Sequence, residues 1–261
     1  MRPAVTTLNP EGGSPFVLLC EHASNHIPAS YGGLGLPPAE LGRHIAWDIG
    51  AAALARRLSA RLDAPLFLSG YSRLLIDCNR PLGAPTSIPL RSEDTEIPGN
   101  RDLSEAEVAA RQDRFFRPFH AAVAACLDAR RGRPTIVLGI HSFTPVFQGV
   151  RRPWHAGLLY ADAVALGQGL IAALAADPAL VIGDNEPYRI EPEHDYTVPV
   201  HGDARGLPAA LIEVRQDLLA DEAGIAAWAD RVERALQAFS GPADTPDDSE
   251  NASRQSRAVR G

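Results

Sequence analysis

Two histidines and a glutamate stand at the ends of apolar, β-branched runs. His22 follows Phe16-Val17-Leu18-Leu19-Cys20-Glu21, His141 follows Thr135-Ile136-Val137-Leu138-Gly139-Ile140, and Glu213 follows Ala209-Ala210-Leu211-Ile212 and precedes Val214-Arg215. Runs of this kind read as buried strands, and such strands carry ligand sites at their carboxyl ends. The three positions therefore point to one shared site. A neutral imidazole at a strand end is a candidate Zn²⁺ ligand, and its competing role is a hydrogen bond to a neighbouring loop. A carboxylate within a strand is costly unless it is paired or put to use. Glu213 is thus either a general base, moving a proton from water to a leaving amine, or one half of an ion pair with Arg215, two residues on and on the same side of the strand.

A catalytic zinc site needs a third protein ligand and one open position. Asp48 is the leading candidate, placed between Trp47 and an apolar-periodic helix, where a carboxylate either caps the helix or binds a cation. Asn25 and His26 lie closer to His22 in sequence and remain alternatives. The segment Ser72-Arg73-Leu74-Leu75-Ile76-Asp77-Cys78-Asn79-Arg80-Pro81 supplies Arg73, Asn79 and Arg80, donors suited to a substrate carboxylate. Arg215 is a further candidate for that role. His194, Tyr196 and His201 occupy a polar loop upstream of the Glu213 strand that can line the site or cover it. His44, His120 and His155 carry no assigned role.

The elements that must position these residues alternate between strand and helix. The pattern predicts strands over 15–21, 65–68, 73–77, 135–141, 157–160, 180–182 and 209–214. Helices are predicted over 48–62, from a Ser104/Glu107 capping box to about 131, over 161–175 and over 221–239. That order implies an α/β fold, with a largely parallel sheet and helices on both faces. Residues 81–102 read as a long loop, a length that in compact domains usually serves function. Residues 1–14 and 241–261 read as flexible termini flanking one catalytic domain over 15–240.

Composition narrows the partners. The chain has 261 residues, 45% of them hydrophobic, and a formal net charge of −7. This is enough for one large core, with no basic footprint for nucleic acid or an anionic membrane. A small molecule bearing a carboxylate is the expected partner. No run matches a phosphate-cradling glycine loop. The three cysteines, Cys20, Cys78 and Cys126, are widely spaced and odd in number, as expected in a reducing cytosol. With no signal-like apolar stretch at the amino terminus and no stretch of membrane-spanning length, the protein is expected to be cytoplasmic.

Taken together, Cys20-Glu21-His22-Ala23-Ser24-Asn25 with Ile27-Pro28, Trp47-Asp48-Ile49-Gly50, Ser72-Arg73 through Asn79-Arg80-Pro81, Ile140-His141-Ser142, and His201-Gly202 through Ile212-Glu213-Val214-Arg215 resemble the N-formylglutamate amidohydrolase family, among the zinc carboxypeptidase-like hydrolases. The resemblance implies a phosphorylase/hydrolase-like three-layer α/β sandwich with a mostly parallel mixed central sheet. It also implies one catalytic Zn²⁺ held by His22, Asp48 and His141, with Glu213 as general base and acid. Asn79-Arg80 resembles the pair with which carboxypeptidases hold a substrate carboxylate. The sequence departs from the carboxypeptidase His-x-x-Glu pattern in having Asn25 where that glutamate would stand.

The expected activity is hydrolysis of the amide of an N-acyl acidic amino acid, N-formyl-L-glutamate foremost, giving formate and L-glutamate. The alternatives are a related zinc amidase acting on another N-acyl amino acid or a cell-wall amide, and a non-catalytic ligand-binding member of the fold.

Overall fold

A computed structural model describes residues 2–239. The tail from 241 onward, for which composition predicts disorder, lies outside the described residues. The first half contains β1 (Val5–Leu8), β2 (Phe16–Cys20), α1 (Pro38–Leu41), α2 (Ala51–Leu62), β3 (Leu66–Ser69), β4 (Arg91–Ser92), β5 (Thr95–Glu96), α3 (Glu105–Arg111) and α4 (Arg117–Ala129). The second half contains β6 (Ile136–Phe143), β7 (Val146–Phe147), β8 (Val150–Arg151), β9 (Ala156–Leu159), α5 (Val164–Ala175), β10 (Ile182–Asp184), β11 (Ala209–Arg215) and α6 (Glu222–Ala238).

Seven strands form one mixed sheet in the order β1-β3-β2-β6-β11-β9-β10. The block β3-β2-β6-β11 is parallel throughout. β1 runs antiparallel along one edge, and the β9-β10 pair runs antiparallel to β11 on the other side. Alternation along the strands sends side chains to two separate cores. Leu18, Ile140 and Ile212 pack with α2, α5 and α6 on one face. Val17, Val137 and Leu211 pack with Phe119 and Val123 of α4 on the other. The result is the three-layer α/β arrangement expected, with two faces covered and the strand ends left open to ligand. Among the described residues no helix is long and apolar enough to cross a membrane.

Two elements differ from the sequence pattern. Residues 1–14 are not a loose lead-in, because β1 pairs with β3 from Val5↔Ser69 to Leu8↔Leu66. A fourth parallel strand edge would otherwise be left unpaired. Residues 73–77 form turns instead of a strand. β3 already pairs with β1 and β2, so no sheet edge is open to them, and Ser72 closes the turn by accepting from Leu74 N at its Oγ and from Leu75 N at its carbonyl. Leu74, Leu75 and Ile76 are apolar because they enter the α4-side core, not because they form a strand. The Ser104 cap is present, accepting from Glu107 N, and one π-helical turn over 112–116 joins α3 to α4.

Candidate metal centre

β2 and β6 are neighbours in the sheet, and their carboxyl ends bring His22 and His141 to ring centroids 4.9 Å apart. Asp48 reaches them from the turn ahead of α2. Its backbone N donates to the His22 carbonyl at 3.0 Å, and its side chain does not cap the helix, whose N-cap is Gly50. Instead Asp48 Oδ2 lies 3.3 Å from His22 Nδ1 and 2.9 Å from His141 Nδ1. One donor atom from each of the three residues lies within 4.8 Å of the others, and all three side chains are buried. Gly139 makes room for this. A Cβ there would meet the Leu211 side chain at 2.3 Å and the His141 ring at 3.3 Å.

The far side of each imidazole fixes its tautomer. His22 Nε2 lies 2.7 Å from Asp77 Oδ1, and His141 Nε2 lies 3.0 Å from Glu21 Oε2. Both acids are held ionised. Although burial opposes their charge, the His141 imidazole beside Glu21 lowers its pKa to about 2, and Arg73 and His22 hold the Asp77 carboxyl well below the carboxylate range. Ionised carboxylates accept only, so each Nε2 is an N–H and each Nδ1 is the nitrogen left facing Asp48. Asp48 is also held ionised, by His22 and His141, against the cost of burial.

Two imidazole nitrogens and a carboxylate oxygen facing one point need positive charge between them, as protons or as a cation. A divalent ion with nitrogen and oxygen ligands at roughly 2.0–2.2 Å would place ligand atoms about 3.3 Å apart, close to the Asp48–His22 and Asp48–His141 spacings of 3.3 and 2.9 Å. Charge agrees. Glu21, Asp48 and Asp77 bring three negative charges to a buried site, which Arg73 offsets only in part and which positive charge at the two imidazoles, from protons or from a cation, must balance. Protons on the Nδ1 atoms are the other way to supply that charge, and the neighbouring carboxylates raise the affinity of both histidines for them. The donor set therefore fits a divalent metal.

Glu213 sits one strand over, in register with His141. Burial pushes its pKa up to about 7, and its buried Oε2 has no hydrogen-bond partner. It shares with the three donors a cleft of about 530 Å³ that also exposes Arg73, Arg80 and Tyr188. Arg73 donates to Asp77 at 2.9 Å and approaches Asp48 Oδ1 at 3.5 Å.

A family model of N-formylglutamate amidohydrolase matches residues 14–220. The chain belongs to the N-formylglutamate amidohydrolase family. A gene product of Agrobacterium tumefaciens with a crystal structure is 40% identical, with a TM-score of 0.88 over 92% of this chain and 96% of that one. The N-formylglutamate amidohydrolase of Ralstonia eutropha JMP134 is 21% identical, with a TM-score of 0.72 over 99% of this chain and all of that one, and shares the fold. Among curated proteins none matches the chain.

In this member of the N-formylglutamate amidohydrolase family the remaining candidates divide. Asn25 donates to the Leu41 carbonyl and His26 packs on Tyr71, so neither joins the metal donors. Arg80 lines the cleft, with Nη1 on Asp195 at 2.9 Å. Asn79 also lines it, but its side chain serves the neighbouring loop, donating to Asp195 and accepting from the backbone N of Tyr196 and Thr197. Arg215 is out of the cleft and binds Asp217 and the Trp154 carbonyl, so neither substrate binding nor a pair with Glu213 describes it. His201, offered by its loop as a lining residue, is buried against His120 instead. His194 and Asp195 do reach the cleft wall, as do several residues of the 81–102 segment around the small β4-β5 hairpin.

Sequence reasoning missed Glu21, Asp77 as a histidine partner, and Thr197, whose hydroxyl donates to Glu21. The available signal was Glu21 itself. A carboxylate closing an apolar run next to a ligand histidine has to be paired, and an imidazole is the partner such a site provides.

Proposed function

We propose that the protein is a zinc-dependent amidohydrolase that cleaves the amide of an N-acyl acidic amino acid, N-formyl-L-glutamate foremost, releasing formate and L-glutamate. The observation that carries this reading is the convergence of two Nδ1 nitrogens and one carboxylate oxygen on a single buried point, beside a carboxylic acid with an unpartnered oxygen. His22, Asp48 and His141 would hold a zinc ion, which would supply Lewis acidity toward the scissile carbonyl and toward water.

The chain's own residues supply the rest. Glu213, poised near pH 7 by burial, takes the proton from the attacking water and returns it to the leaving amine. Asp77 and Glu21 hold the two imidazoles in the tautomer that ligates. Arg73, tied to Asp48 and Asp77, keeps both carboxylates oriented and leaves positive charge facing the cleft, where the carbonyl oxygen becomes negative. Arg80 receives a substrate carboxylate, since among the described residues its Nε and Nη2 have no partner.

The catalytic domain proposed here extends the expected 15–240 to take in β1, and its partner is a small carboxylate-bearing molecule instead of nucleic acid or membrane. The free, buried thiols of Cys20 and Cys78 support a cytoplasmic setting.

The test is formate release from N-formyl-L-glutamate by protein stripped with a chelator and reloaded with zinc. Turnover that disappears on stripping and returns on reloading supports the reading. Absence of formate release from any N-formyl amino acid by the loaded protein contradicts it.

A further inference from the structure

Four arginines line the cleft, Arg73, Arg80, Arg91 and Arg189, and three of them already face a carboxylate of the protein. Arg73 is bound to Asp77 and Asp48, Arg80 to Asp195, and Arg91 to Asp94 with Glu96 nearby. Arg189 has no ion pair and no hydrogen bond with any described residue.

Its backbone is nevertheless well placed. On one side Tyr188 stacks under the Arg152 guanidinium at 4.7 Å. On the other, Ile190 packs against the α4-side core. Beyond that, Glu191 N donates to Asp195 Oδ2 at 3.0 Å, and Asp195 is itself gripped by Arg80 and Asn79. The Asn79-Arg80 pair thus fastens the wall of the cleft on which Arg189 stands.

Arg73 spends both Nε and Nη2 on Asp77, whereas Arg80 meets Asp195 through Nη1 alone and keeps one edge for a further carboxylate. An unpaired guanidinium at the same cleft presents a full fork of donors to a planar carboxylate. An N-acyl glutamate brings two carboxylates, and the free edge of Arg80 accounts for one. We infer that Arg189 binds the side-chain carboxylate of the substrate and makes this site selective for N-acylated acidic amino acids over neutral ones. The inference rests on the amidohydrolase reading and adds to it the residue that reads the substrate's side chain.

The test compares zinc-loaded wild type, Arg189→Ala and Arg189→Lys on N-formyl-L-glutamate and its neutral isostere N-formyl-L-glutamine. Loss of a hydrogen-bonded charge partner is expected to raise KM for the glutamate compound roughly 10- to 100-fold. The lysine variant should fall between, while zinc content and the kinetics on the glutamine compound stay at wild-type values. Equal losses on both compounds, or an unchanged KM for the glutamate compound, overturn the inference. If wild-type protein turns over neither compound, the amidohydrolase reading fails by itself. Calorimetric binding of N-formyl-L-glutamate then decides the inference: weaker binding by Arg189→Ala supports it, and equal binding overturns it.

Discussion

The protein buries two pairs of histidines, and they are built to opposite ends. His22 and His141 each give Nε2–H to an ionised carboxylate, Asp77 and Glu21, and turn Nδ1 toward a third, Asp48. His120 and His201 are as buried but hydrogen-bond to no carboxylate among the described residues. His120 Nε2 donates to the Cys78 carbonyl at 2.8 Å, and its Nδ1 accepts from His201 Nε2 at 2.9 Å, which leaves His201 Nδ1 without a partner. Burial dominates the second pair and pushes the pKa of His120 down to about 4 and of His201 down to about 3. In the first pair the surrounding carboxylates outweigh burial and raise both. The lesson is that burial alone makes a histidine a neutral packing group, whereas a carboxylate behind it makes it a base aimed at a cation.

The contrast can be sharpened or broken by experiment. The largest effect is expected at Glu213, which stands beside the first pair but outside the metal donors. Glu213→Gln should keep stoichiometric zinc and lower kcat about 10²- to 10⁴-fold. Zinc loss in that variant would place Glu213 among the ligands and undo the division of roles.

Glu21→Gln comes next, since it removes the charge behind His141 while keeping the shape. Zinc affinity measured against a competing chelator should fall roughly 10- to 100-fold. An unchanged affinity would mean that the carboxylate behind the ring does not distinguish the two pairs.

The smallest effect belongs to the second pair. Groups whose pKa is depressed on folding contribute stability above their unfolded value, here the ordinary 6.5, and lose it as pH falls toward the folded value. Urea unfolding should therefore show stability declining from about pH 6.5 to about pH 4, and declining less in a His120→Phe/His201→Leu variant, with zinc content of that variant unchanged at neutral pH. The same decline in both proteins would show that these histidines are not held neutral.

Much of the site was legible because its residues interrupt apolar runs. His22, His141 and Glu213 are polar groups at the ends of β2, β6 and β11, where an unused polar side chain is expensive. Asp48 was legible only as a residue able either to cap a helix or to bind a cation, and a three-dimensional fact decided between them, namely its reach to both Nδ1 atoms. Arg73, Asn79 and Arg80 were visible as donors, but one sequence cannot show that Asn79 spends its amide on the Asp195 carboxylate and the 196–197 backbone or that Arg215 turns to Asp217.

The fold errors have the same origin. Leu74-Leu75-Ile76 looked like a strand because burial in a turn and burial in a sheet demand the same apolar residues. Val5–Leu8 looked like a lead-in because its place is set by the open edge of β3, some 60 residues away in sequence. Thr197, which donates to Glu21 from a π-helical turn, had no local signal at all.

The central claim is that His22, Asp48 and His141 hold one divalent ion. Its most direct test is equilibrium dialysis of chelator-stripped protein against zinc, with the bound metal measured for wild type and for His141→Ala. The expected result is one tightly bound zinc per chain in the wild type and loss of that site in the variant. Failure of the wild type to bind zinc, or full stoichiometry retained at undiminished affinity in the variant, would contradict it.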